Sequence, residues 1–209
     1  MKNITKALSK AGEKDSAILK KMFTKDGKGL KNEDILAVNE AIKQNGGLEE
    51  YLKSFDIHLD EDQLKGLEDA LNNVTDAFEE NGPLVTELKR WGLDDGEDGS
   101  IQGFITEQSY GVAYEFTQKF GQMIQEGRTA EDVSGLIRQI NELTEGLTEE
   151  EDQNKVMEYL ADTNWKSEED IATTLNLLSQ ISGIDMTQVE DLGKSIDDLA
   201  NATSENTVA

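Results

Sequence analysis

Cysteine is absent from the chain, and with it go disulfides, thiolate nucleophiles and zinc–sulfur sites. The single histidine, His58, cannot build a multi-histidine metal centre or a Cys–His pair. Its neighbours Ile57 and Leu59 place it in a turn leading into a long helix at Asp60. There is one proline, Pro83, which suits the first turn of a helix, where its missing N–H is not needed. No apolar run approaches the roughly 18 residues of a membrane span, and the N-terminus has no signal-peptide apolar region. The expectation is a soluble protein with no transmembrane span, not secreted through a signal peptide.

Basic residues are also scarce, 20 against 44 acidic ones, for a net charge of −24. They are unevenly spread. Residues 1–31 hold nine lysines against Glu13, Asp15 and Asp26, a balance of +6 that leaves −30 on the rest. This basic N-terminal arm contains few periodic apolar residues. It is suited either to an anionic partner or to lying against the chain's own acidic surface.

What is abundant is helical periodicity. Leu64, Leu67, Leu71, Val74 and Phe78 recur at intervals of three and four. So do Val133, Leu136, Ile137, Ile140 and Leu143, and again Val189, Leu192, Ile196 and Leu199. Stripes with this spacing are packing faces. Thr129, Thr148, Ser167 and Thr187 each precede such a pattern, with Asp132, Glu151, Asp170 and Glu190 three places on. A hydroxyl followed by an acid at that distance is the signature of a helix start. The four starts lie 19, 19 and 20 residues apart, which predicts tandem helical hairpins with a period of about 38 residues.

The predicted fold is all-α, with antiparallel hairpins packed as a bundle or a short solenoid. Four segments follow: the arm, 1–31; an N-terminal helical subdomain, 32–80; connecting helices with an acidic, glycine-rich loop, 81–127; and the tandem hairpins, 128–209. In the connection, Val112, Phe116, Phe120 and Met123 share one helical face, and Gly127 ends that helix. Trp91 and Trp165 stand near helix junctions, as apolar locks between hairpins.

Candidate chemistry is sparse. Asp94, Asp98, Gly99 and Ile101 match positions of an EF-hand loop, but Gly96 and Ile105 occupy the third and twelfth places, where ligands are required. The loop therefore reads as an acidic turn. Thr106-Glu107-Gln108-Ser109-Tyr110 has a faint likeness to the catalytic Glu region of lytic transglycosylases, without that family's downstream Gly-Leu-Met-Gln element. No phosphate-cradling glycine loop is present. The expectation is therefore a chain that is not an enzyme, with no catalytic, cofactor-binding or metal-binding residue and no cofactor.

Asp162-Thr163-Asn164-Trp165, Ser167-Glu168-Glu169-Asp170-Ile171 and Gly183-Ile184-Asp185-Met186-Thr187 resemble helical segments of tape-measure and ejected cargo proteins of tailed bacteriophages. The resemblance covers residues 128–205, about a third of the chain. It implies a structural or cargo protein of a virion, located in the particle or the bacterial cytoplasm, with other protein chains as partners. The alternative is an acidic nucleic-acid mimic that occupies a DNA-binding protein, since a dense carboxylate surface can imitate phosphate charge.

Overall fold

The computed structural model describes residues 2–23, 28–94 and 101–201, which form twelve helices. Among them, extended pairing is confined to an isolated antiparallel bridge between Lys31 and Ser109. The fold of the described residues is all-α. Its contacts divide into two compact units, Met1–Thr86 with Thr106–Ala113, and Glu87–Ile105 with Tyr114–Ala209.

The first unit begins with α1 (Lys2–Lys10) and α2 (Glu13–Met22), which pack as a hairpin, followed by α3 (Asn32–Gln44), α4 (Leu48–Lys53) and α5 (Glu61–Ala77). The stripe on α5 faces inward as its spacing predicts: Leu67, Leu71 and Val74 are buried, with Leu64 and Phe78 packed beside them. Asp60 caps this helix. Its carboxylate accepts from the Gln63 N–H at 2.8 Å, and Gln63 accepts from the Asp60 N–H at 3.1 Å, so two otherwise orphan donors are satisfied together.

The basic arm is more deeply embedded than its composition predicts. Ala7, Ile18, Leu19, Met22 and Leu30 are all buried in the same core as α3, α4 and α5, which corrects the expectation of few core residues. The reason is amphipathicity. Helices α1 and α2 turn short apolar faces inward and leave Lys6, Lys10, Lys14 and Lys20 exposed, with Lys21 half-buried. Several of those lysines meet the chain's own acids. Lys6 and Lys10 reach Asp56 at 2.9 and 3.5 Å, and Lys21 reaches Asp34 at 2.7 Å.

Next along the chain come α6 (Pro83–Arg90), α7 (Ile101–Thr106) and α8 (Tyr110–Gln125). Pro83 is the first residue of α6, and Gly127 follows α8 with a φ of +95°, a left-handed turn suited to glycine. On α8, Val112, Phe116, Phe120 and Met123 are all buried.

The second unit holds α9 (Ala130–Glu145), α10 (Glu150–Asp162), α11 (Glu168–Leu178) and α12 (Met186–Asn201). Each packs on the next, and α12 returns to α9. That closing contact makes the tandem hairpins a bundle rather than a solenoid. Arg128 Nε donates to the Leu199 carbonyl at 3.0 Å, which sets the start of α9 beside the end of α12 and so makes the two antiparallel. Val133, Leu136, Ile137, Ile140 and Leu143 line the interior from one side and Val189, Leu192 and Ile196 from the other. At Gly193, an added Cβ would stand 2.7 Å from Leu175 Cδ1, so α11 and α12 approach closely there.

Two of the four predicted helix starts are caps. Thr129 accepts from the Asp132 N–H at 3.1 Å while Asp132 accepts from the Thr129 N–H at 2.7 Å. Ser167 accepts from the Asp170 N–H at 3.2 Å. The other two are corrected. Helix α10 begins at Glu150 with Glu149 at its cap position, so Thr148 stands one residue too early. Three acids in its first turn favour the positive helix end without any hydroxyl. Helix α12 is capped by Asp185, whose Oδ1 accepts from Thr187 at 2.9 Å and Gln188 at 3.3 Å. Gly183, at φ +83°, completes the preceding turn and delivers Asp185 to that place.

Candidate binding cleft

The second unit carries a cleft of about 400 Å³. One wall is α8 from Glu115 onward, with Glu126 just past its end; the other is the turn between α10 and α11, from Thr163 to Lys166, and Trp91 also lines the cleft.

Trp165 acts as the apolar lock its position predicts, whereas Trp91 is half-buried. The Trp165 indole packs against Phe116 and Phe120, with ring centroids 6.0 and 6.2 Å away, and Phe104 joins the cluster 5.1 Å from Phe116. Such a cluster buries large apolar area and fixes ring orientation. Trp165 Nε1 donates to the Leu160 carbonyl at 2.9 Å, and Asn201 Nδ2 donates to the Trp165 carbonyl at 3.3 Å. Trp91 rests on Gly121, and the Arg90 guanidinium stands 5.1 Å from its ring centre.

Lys119 lies at the heart of the cleft. Its side chain is only 15% exposed. The amine donates to the carbonyl of Ala161, in the last turn of α10, where helix carbonyls lack intrahelical partners. It also sits 5.6 Å from the centre of the Trp165 ring. Burial pushes the Lys119 ammonium below its ordinary range, and the carboxylates of Glu115 and Asp162 only partly oppose that. The neighbouring Lys166 forms an ion pair with Glu126, which also accepts from Gln122. Thr163 closes the floor, donating to the Tyr159 carbonyl and sharing a hydrogen bond with the Thr174 hydroxyl.

Sequence reasoning singled out Trp165 here but missed Lys119. The available signal was the place of Lys119 on α8, three residues after Phe116 and four before Met123, beside the apolar face of the helix. The remaining candidates lie elsewhere. His58 is exposed in the turn before Asp60, 3.7 Å from Asp56. Of the acidic loop at 94–101, residues 95–100 lie outside the described residues, and Ile101 begins α7. Among the described residues, no group of three or more histidines, aspartates or glutamates is placed to hold a metal ion, and no helix is long and apolar enough to cross a membrane.

No protein-family model, curated protein or solved structure matches the chain.

Proposed function

We propose that the chain is a non-enzymatic structural or cargo protein of a tailed-bacteriophage virion, acting through protein–protein contacts of its helical hairpins. The observation that carries this reading is the tip of the α11–α12 hairpin. Leu177 stands in the last turn of α11 and Met186 begins α12, and the two residues are 36% and 43% exposed beside the exposed polar residues Ser179, Gln180, Ser182 and Thr187. Apolar side chains framed by polar ones are the ordinary makeup of a protein contact. The phage resemblance of residues 128–205, which includes this turn, points the same way.

The test is to wash purified particles at low and high salt and follow the chain by mass spectrometry. A structural component joined through apolar area stays bound at high salt, and a Leu177→Lys, Met186→Lys double variant leaves the particle while keeping its helical circular dichroism. Absence of the chain from every particle fraction rejects the reading.

One feature favours a second reading, a nucleic-acid mimic. Residues 128–201 hold eighteen acidic and five basic residues, and most of the acids are exposed, Glu168, Glu169 and Asp170 at the start of α11 among them. A complex of this kind with a DNA-binding protein dissociates steeply as salt rises. The same salt series therefore separates the two readings.

A further inference from the structure

We propose that the cleft beside Lys119 is a receptor site for a carboxylate carried on an apolar body, such as a small aromatic acid or a protein chain end that finishes in an apolar residue.

The first argument is the unequal treatment of the two lysines. Lys166 is matched to Glu126. Lys119, in a chain with 44 acidic residues, is paired only loosely. Its nearest carboxylate oxygen, Glu115 Oε2, is 3.8 Å away. A charge-assisted hydrogen bond spans about 2.7–2.9 Å. The short bond Lys119 does make is to a neutral carbonyl, that of Ala161. A desolvated cation held this way is costly, and a carboxylate bonded to it would relieve the cost.

The second argument is the shape and lining of the space. The cavity lies within the usual range of ligand sites, about 300–1,000 Å³. Gln118 and Asn164 are exposed amides on its rim, able to donate to carboxylate oxygens. Met123, Ala200 and Trp165 line it and are buried, forming an apolar floor. A ligand that places its charge at Lys119 and its body on this floor uses both halves of the site.

The third argument is charge. The four ionisable groups that line the cleft, Lys119, Lys166, Glu115 and Glu126, balance to zero, whereas the chain as a whole is strongly negative. Asp162, at the end of α10, also acts on Lys119, while acids farther off are screened beyond roughly 8–10 Å in physiological salt. The apolar body is then needed for affinity, which separates this ligand class from inorganic anions.

The test uses the full chain and follows tryptophan emission and heat on titration with benzoate, against sodium chloride at matched ionic strength. Wild type is expected to give a saturable change, and inorganic phosphate none. Lys119→Gln should weaken benzoate binding at least about tenfold, the loss expected for one charge-assisted hydrogen bond. Glu115→Gln removes the competing carboxylate without touching the core, and should tighten binding several-fold. A peptide ending in phenylalanine with a free carboxylate, compared with its amidated form, separates a chain end from a small acid as the source. The proposal is overturned if wild type and Glu115→Gln both show no saturable response beyond chloride, if phosphate binds as well as benzoate, or if folded Lys119→Gln binds benzoate unchanged. Should Lys119→Gln unfold, the Glu115→Gln comparison decides.

Discussion

The indole of Trp91 lies over Gly121, so close that a Cβ on Gly121 would stand 2.5 Å from Nε1 and 2.9 Å from Cε2. The glycine is selected by contact rather than by backbone conformation, since it sits inside α8. Gly121→Ala should displace Trp91 toward solvent, shifting part of the tryptophan emission to longer wavelength. The overpacking cost of about 1–3 kcal/mol outweighs the gain of roughly 1 kcal/mol in helix propensity. A more stable variant with unchanged emission would refute the contact.

Two other glycines should respond in opposite directions. Gly66 is exposed within α5, and an added Cβ there meets nothing within 4 Å. Gly66→Ala should therefore stabilise by about 0.5–1 kcal/mol. At Gly82 the added Cβ would fall 2.1 Å from the Asp76 carbonyl oxygen, which is backbone and cannot step aside. Gly82→Ala should destabilise, and urea denaturation of the two variants measures both signs.

The helix caps offer a comparison between similar substitutions. Thr129→Ala removes a cap and should cost about 0.5–2 kcal/mol, whereas Thr148→Ala and Thr187→Ala should each cost less, because neither hydroxyl caps its helix. Asp185→Ala should behave like Thr129→Ala.

The same cap has an acid signature. The Thr129 backbone N–H, and then its hydroxyl, hold the Asp132 carboxyl below the usual carboxylate range. A carboxyl lowered in the folded state contributes fully above its unfolded pKa, and that contribution is lost as pH falls through the folded value. Below about pH 4, the wild-type midpoint should therefore fall with pH more steeply than that of Asp132→Asn. Parallel midpoint curves would refute the linkage.

Removing residues 1–31 should unfold the first unit rather than simply discard a tail. The deletion takes Ile18, Leu19, Met22 and Leu30 out of a shared core. Each large buried side chain contributes about 1.5–3 kcal/mol, so together they approach the whole stability of a small domain. Hydrogen exchange should show lost protection in α3 and α5; retained protection would contradict the packing.

The sequence by itself determined the helices and their buried faces. The period of three and four in Val133, Leu136, Ile137, Ile140 and Leu143 can be satisfied only by a helix with one apolar side, and all five are buried. It located Pro83 at a helix start, Gly127 after a helix end and the two tryptophans at junctions, because these depend on backbone chemistry or residue size. Caps were legible only in part. Along an acid-rich chain many residues can serve a helix start, and the turn at Gly183 selected Asp185 over Thr187. Only tertiary structure decided that α12 returns to α9 and closes the bundle, since an apolar stripe does not name the stripe it packs against. It likewise buried the lysine-rich first helices and set Lys119 beside Ala161, 42 residues on. An ammonium's surroundings are made by chain segments distant in sequence, and spacing along one helix cannot encode them.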